Sequence, residues 1–260
     1  AGYTSSPNFP VINAHQSTLG SSTNTPDQFN CIVGKFNASQ AAQWITHFGG
    51  TDNGASGTQT QESAFDIVTD NSGNVFIGGE SDEIDFPTTN PNSGNPNILF
   101  DGSHNGYRDG FIARFTSGGT PNYATYIGGN FSDGIRRIVY KSNTGELYFA
   151  GDAGSSTNFP FKTKSGAYNS TYRLTGGNAF LGYINSNLEH QWITYYGKSK
   201  TKYFSTGGLS VDNTGVVYLI GSTNSDSLVY GASTPSGAYT DNTNSSTDGY
   251  IAIFDNNKQI

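Results

Sequence analysis

Short apolar runs separated by Gly-, Asn-, Asp- and Ser-rich turns recur along the whole chain. The best formed is Phe65-Asp-Ile-Val-Thr-Asp-Asn-Ser-Gly-Asn-Val-Phe-Ile-Gly-Gly79, which predicts two short strands joined by a tight turn. Asp70-Asn71-Ser72-Gly73 is that turn, because Asp and Asn bond their own backbone and Gly tolerates positive φ. The pattern returns from Ile135 to Gly151 around Asn143-Thr144-Gly145, and from Leu209 to Gly221 around Asp212-Asn213-Thr214-Gly215. A repeated strand pair predicts an array of sheets.

Four kinds of short strand recur in fixed order. Strand a is expected at Phe65–Thr69, Ile135–Tyr140 and Leu209–Val211, and strand b at Val75–Gly78, Leu147–Ala150 and Val217–Ile220. Strand c is expected at Ile32–Phe36, Phe111–Phe115, Phe180–Ile184 and Tyr250–Phe254, and strand d at Trp44–Phe48, Tyr123–Ile127 and Trp192–Tyr196. Phe36 and Phe115 are 79 residues apart, and so are Trp44 and Tyr123; Phe115 and Ile184 are 69 apart, and so are Tyr123 and Trp192. Two independent landmarks with equal spacings make the repeat real.

Four short strands per unit over several units predict an all-β fold, a β-propeller of four-stranded antiparallel blades that must stack to bury their faces. The chain reads as one propeller region, 1–260, with approximate blades at 1–49, 50–128, 129–197 and 198–260. The first lacks strand a and nearly all of b, and the last lacks strand d, leaving about three and a half blades. The expectation is therefore a part of a larger ring, since an open arc exposes blade faces and strand edges. The alternative is a compact four-bladed domain with an incomplete last sheet. Long loops follow strand b at Glu80–Arg108, Asp152–Gly177 and Ser222–Thr247. Two of these carry Phe-Pro, at Phe86-Pro87 and Phe159-Pro160, matched by Phe9-Pro10 near the start.

These motifs resemble the bacterial β-propeller repeat family often called SBBP. The resemblance rests on Asp109-Gly-Phe-Ile-Ala-Arg-Phe115, Tyr123-Ala-Thr-Tyr-Ile-Gly-Gly129, the Phe65–Gly79 stretch and the Phe-Pro pairs, and it covers almost the whole chain. It implies a propeller, usually of seven blades, and is nearly silent on function. Lys198 departs from the second Gly of the strand-d motif, and Lys141-Ser142 replaces the Asp expected before the second turn.

Composition narrows the function classes. The 260 residues hold 34 Gly, 16 Tyr and 17 Phe but only 13% charged residues. That is too aromatic for a disordered chain. A net charge of −7 with 13 unclustered Lys and Arg argues against nucleic acid as a partner. No apolar run approaches a membrane span, and the start has no signal-peptide pattern. The polar, Lys-poor composition suits a secreted or cell-surface bacterial protein. Cys31 cannot form an intrachain disulfide, and it shares its repeat position with Gly110, Ala179 and Gly249, so it reads as a small packed residue. His15, His47, His104 and His190 make no metal-ligand spacing.

The most suggestive local motif is Asp101-Gly-Ser-His-Asn-Gly-Tyr-Arg-Asp109. Asp101, Ser103, Asn105 and Asp109 imitate the first nine positions of a calcium loop, making calcium the candidate ion and no other cofactor expected. The twelfth-position Glu is missing, since Ile112 stands there, and Asp109 recurs as Asp248 and as Asn30 and Asn178, which favours a bond to the loop backbone. Trp44 and Trp192 occupy one repeat position with Tyr123 and read as packing. No convergent Asp/Glu pair, Ser/His/Asp set or phosphate loop is evident, so no enzyme activity is expected.

In a propeller the b–c and d–a connections open on one face, where binding usually sits. His104, Tyr107, Arg108, Tyr168 and Tyr239 are the candidate ligand-binding residues on it. The leading expectation is a non-enzymatic binding or adhesion module for a protein or glycan at the cell surface. The alternatives are a lectin or glycan-active enzyme, and a structural segment of a larger surface or secretion-related assembly.

Overall fold

A computed structural model of the chain describes residues 1–20, 28–51, 61–155, 157–160, 177–197, 204–224 and 247–257. Among these residues the fold is all-β with no helix. Four antiparallel sheets follow the sequence in order. The first joins β1 (Gly2–Thr4), β2 (Asn30–Phe36) and β3 (Ala42–Phe48). The second joins β4 (Glu62–Thr69), β5 (Val75–Ser81), β6 (Asp109–Phe115) and β7 (Pro121–Ile127). The third joins β8 (Asp133–Lys141), β9 (Glu146–Ala153), β10 (Asn178–Ile184) and β11 (His190–Tyr196). The fourth joins β12 (Phe204–Val211), β13 (Val217–Thr223) and β14 (Asp248–Phe254).

Every strand expected from the repeat is present, and the first sheet gains β1 as its strand b. The real a strands begin earlier than expected, at Glu62, Asp133 and Phe204, because polar residues there read as loop. Each contains a register shift against strand b, at Ala64/Asp66, Ile135/Arg137 and Thr206/Gly208. Facing the bulge are Gly79, Gly151 and Gly221. A Cβ on these would lie 1.9, 1.9 and 1.8 Å from the carbonyl oxygens of Ser63, Gly134 and Ser205. Only glycine permits that approach of two backbones.

The a–b turns close as the residue types require. Asp70 Oδ1 accepts from the N–H groups of Ser72 and Asn74, and Asp212 Oδ1 from those of Thr214 and Val216. Gly73, Gly145 and Gly215 take positive φ. In the second turn, which lacks the Asp, the carbonyl of Lys141 accepts from Thr144 and Gly145 instead. The turns are tied sheet to sheet: Asn71 Nδ2 donates to Ser142 O, and Asn143 Nδ2 to Asn213 O.

The core is three apolar layers between consecutive sheets. Val33, Trp44 and Phe48 meet Ile77, Phe86, Phe111 and Phe115. Ile112, Tyr123 and Ile127 meet Ile135, Phe149, Phe180 and Ile184. Leu181, Trp192 and Tyr196 meet Val217, Leu219, Tyr250 and Phe254. Trp44 stacks on Phe115 and Trp192 lies edge-on to Phe254, so both tryptophans are packing residues. Strands β4, β8 and β12 lie side by side. The outer d strands are covered in part by returning chain: Ile12 exchanges hydrogen bonds with Ile45, and Thr89 with Ala124. Such cover protects a sheet edge from pairing with other chains.

Candidate functional site

The connections before β6 and before β8 meet at one end of the second and third sheets. Arg108 and Ser132 form a parallel bridge there, and the N–H of Asp133 donates to the Arg108 carbonyl. Gly106 lies so close that a Cβ would sit 2.1 Å from the Phe131 carbonyl oxygen. This clasp fixes the loop that carries most of the candidate residues. Tyr107 is 76% exposed and stacks on Phe131, itself 47% exposed, with ring centroids 6.3 Å apart. Together they form an aromatic pair exposed to water. Arg108 turns away from it into an ion cluster. Its Nη1 lies 2.7 Å from Glu80, whose other oxygen lies 3.0 Å from Arg136, which in turn pairs with Asp152 at 3.0 Å. The Arg136 guanidinium also sits 4.7 Å from the centroid of the Phe65 ring.

His104 packs edge-on to Tyr126, and burial lowers its pKa. Among the described ligand-binding candidates only Tyr107 reaches freely into solvent, while His104 and Arg108 hold the loop. Tyr168 and Tyr239 lie outside the described residues.

The Asp101–Asp109 loop is tied together by hydrogen bonds among its own residues. Asp101 Oδ1 accepts from the Ser103 N–H, its Oδ2 accepts from Asn105 Nδ2, and Asp109 Oδ2 accepts from the Asn105 N–H. Asn105 also donates to the Ser103 carbonyl. Among the described residues no group of three or more His, Cys, Asp or Glu is placed to hold a metal ion. Asp109 thus bonds the loop backbone as its repeat position suggested. Burial is the main cause that pushes the Asp109 carboxyl up to about 7.

A convergent carboxyl pair does exist, contrary to the sequence reading. Glu62 opens β4 and Glu83 follows β5, and the hairpin brings their buried side chains close enough for each carboxyl to act on the other. Glu62 Oε1 also accepts from the Gly50 N–H at 2.7 Å, and Glu83 Oε1 from Gln28 Nε2 at 3.0 Å. The repeat register could have located this node. In the next sheet Asp133 stands where Glu62 does and accepts from the Gly129 N–H, while Ser155 stands where Glu83 does and donates its hydroxyl to Asp133. The pair of glycines after strand d leaves room for these groups. A Cβ on Gly49 would lie 1.7 Å from Glu62 Oε2, and one on Gly50 2.6 Å from Glu83 Oε2.

In the Glu62–Glu83 version a carboxylic proton must replace the serine hydroxyl, since two touching carboxylates would repel in a buried site. Burial first, then the charge of Glu83, raises the Glu62 pKa well above its ordinary value. Both oxygens are sealed from solvent, so the pair is a structural node and not an accessible acid–base couple.

A pH dependence follows. A carboxyl with a raised native pKa contributes stability in full below its unfolded value, and loses it as pH rises through the native one. Glu62, Asp109 and Asp133 all have raised values. The protein is therefore expected to melt at higher temperature at about pH 5 than at about pH 8. Glu83→Gln supplies an amide donor that needs no proton, so thermal melts of this variant should raise Tm at the higher pH and flatten the slope.

Two packing details complete this end of the molecule. Cys31 is buried and free, with burial pushing its thiol pKa up, as a packed residue should be. His47 is buried at the position of Tyr126 and Tyr195 and lies edge-on to Phe9. No helix among the described residues is long and apolar enough to cross a membrane. Neither a known protein-family model nor a curated protein sequence matches the chain.

Proposed function

We propose that the chain is a run of β-propeller blades of the SBBP type that serves as a non-enzymatic binding or adhesion module in a secreted or cell-surface setting. The observation that carries the binding reading is the exposed Tyr107–Phe131 stack. It stands on loops clamped to two rigid sheets, beside an Arg–Glu–Arg–Asp ion cluster. An aromatic surface held out of the core at no packing benefit suits contact with an apolar or CH-rich partner surface. The propeller reading is supported by four sequential antiparallel sheets packed face to face, with the a strands side by side. Seven blades is the number that the family resemblance implies. The polar, Lys-poor composition carries the cellular setting.

A second reading, a lectin, draws on the same stack, because aromatic faces pair with the CH faces of sugars. The Glu62–Glu83 pair does not favour an enzyme acting on glycans, since the carboxylates of a glycosidase stand about 5–10 Å apart around the substrate.

The test is a panel of glycans and surface proteins screened against the parent chain and Tyr107→Ala. At least a tenfold loss of binding with an unchanged Tm is expected, because Tyr107 is exposed. Equal binding by the variant would remove the stack from the site. Turnover of any glycan by the purified protein would sink the non-enzymatic reading.

A further inference from the structure

The Glu62–Glu83 node joins the first sheet to the second, and three carboxyl groups receive bonds across it. Gln28, just before β2, donates its amide to Glu83 and to the Gly50 carbonyl. Gly50, just after β3, donates its N–H to Glu62. Thr51 donates both its N–H and its hydroxyl to Asp85. Gln28, Glu62 and Glu83 are buried. The loop that leaves β5 is therefore fixed at its near end by this node and at its far end by the Arg108–Ser132 clasp. Cys31 lies beneath the node. It is fully buried, pairs with Phe48, the residue before Gly49, and feels the charges of Glu62 and Glu83.

The ionisable groups that act on Glu62 are themselves acids, Glu83 and Asp85. Cys31 of β2 and Tyr126 of β7, which feel the Glu62 charge in turn, are acids as well. None of these four offsets a second negative charge. The matching node between the second and third sheets uses the Ser155 hydroxyl, which keeps its hydrogen at any pH a protein meets. The Glu62 node relies instead on a carboxylic proton that can leave. Burial raises the Glu62 pKa, so the closed node is fully stable below the ordinary carboxylate range and weakens as pH rises through the raised value.

We propose that this node is a proton-released latch: loss of the shared proton parts the Gly49–Thr51 connection from the loop after β5 and opens Cys31 to solvent, while the strands of both sheets stay paired. In acid the latch is shut and Cys31 is an inert packed thiol. Above neutrality two anions share a sealed site, and their repulsion is relieved when water enters. Cys31 then becomes a thiol that electrophiles can reach. The same release frees the near end of the loop that carries Tyr107, while the clasp still holds its far end. The inference stands on the node and not on what the loops bind, so its failure leaves the binding reading untouched.

Cys31 is the chain's one cysteine, so labelling with iodoacetamide, whose iodide the thiolate displaces, reports on it alone. Dividing each rate by that of the urea-unfolded chain at the same pH removes the titration of the thiol itself and leaves the open fraction. One linked proton changes that fraction about tenfold per pH unit. In the parent it is expected to rise at least tenfold between about pH 6 and about pH 8. In Glu83→Gln, whose amide needs no proton, it should change less than threefold. Low concentrations of urea should raise the parent's open fraction far less steeply than they raise global unfolding, because a latch exposes little surface. A parent fraction that does not change with pH overturns the proposal, and so does a Glu83→Gln profile as steep as the parent's. A urea dependence equal to that of global unfolding also overturns it, and this measurement on the parent decides the matter even where the variant fails to fold.

Discussion

Gly151→Ala is expected to lower stability by about 3 kcal/mol, toward the upper end of what overpacking costs. The new methyl carbon would meet the carbonyl oxygen of Gly134 at 1.9 Å, well inside contact. Nothing flexible is available to yield, because that carbonyl belongs to the bulged strand β8 and the ring of Phe180 closes the other side at 2.9 Å. Relief must come from parting β8 and β9, which would disturb the layers on both faces of the third sheet. Urea unfolding should show a lower midpoint with an unchanged slope. Gly94→Ala is the control, since its Cβ would meet only the Asn92 side chain at 3.6 Å. Equal midpoints for the two variants would refute the account of the bulge.

Phe86→Ala is the second large effect, about 3–5 kcal/mol. Phe86 is not part of any strand, yet it is 3% exposed. Its ring lies 5.1 Å from that of Phe48, 4.6 Å from Phe111 and 5.6 Å from Tyr126. It therefore plugs the layer between the first and second sheets from the loop side. Its N–H also donates to the Tyr126 hydroxyl, which donates to the Glu83 carbonyl. Truncation leaves a cavity between two sheets and loosens the loop that carries the aromatic stack. Phe9→Ala provides the comparison. Phe9 stands at the same repeat position but is only half buried, so a loss well under half as large is expected in the same melts.

The strands and their order were legible because alternation, turn residues and register are local signals, and the repeat sampled each of them several times. Recurrence also assigned Trp44, Trp192 and Cys31 to packing without any knowledge of their neighbours. Two features escaped. The early starts of the a strands were hidden because Glu62, Ser63, Asp133 and Gly134 are polar or small, and their burial depends on a bulge that periodicity cannot register. The Glu62–Glu83 pair was hidden because its members lie on different strands and touch only once β4 and β5 pair. The repeat did hold the clue: an acid pair in one unit aligns with an Asp–Ser pair in the next. Tyr107 was identified from residue type and loop position, but the partner that makes it a surface, Phe131, comes from a different connection.

Each sheet here is a meander cut from one continuous stretch of chain, so most backbone pairing joins residues close in sequence. The contacts between sheets, by contrast, join side chains about one repeat apart. Such an array behaves as a one-dimensional row of units, each steadied by its neighbours. The second and third sheets each pack against another sheet on both faces. A change in either is therefore passed to the sheets on both sides of it, and so to every sheet described here.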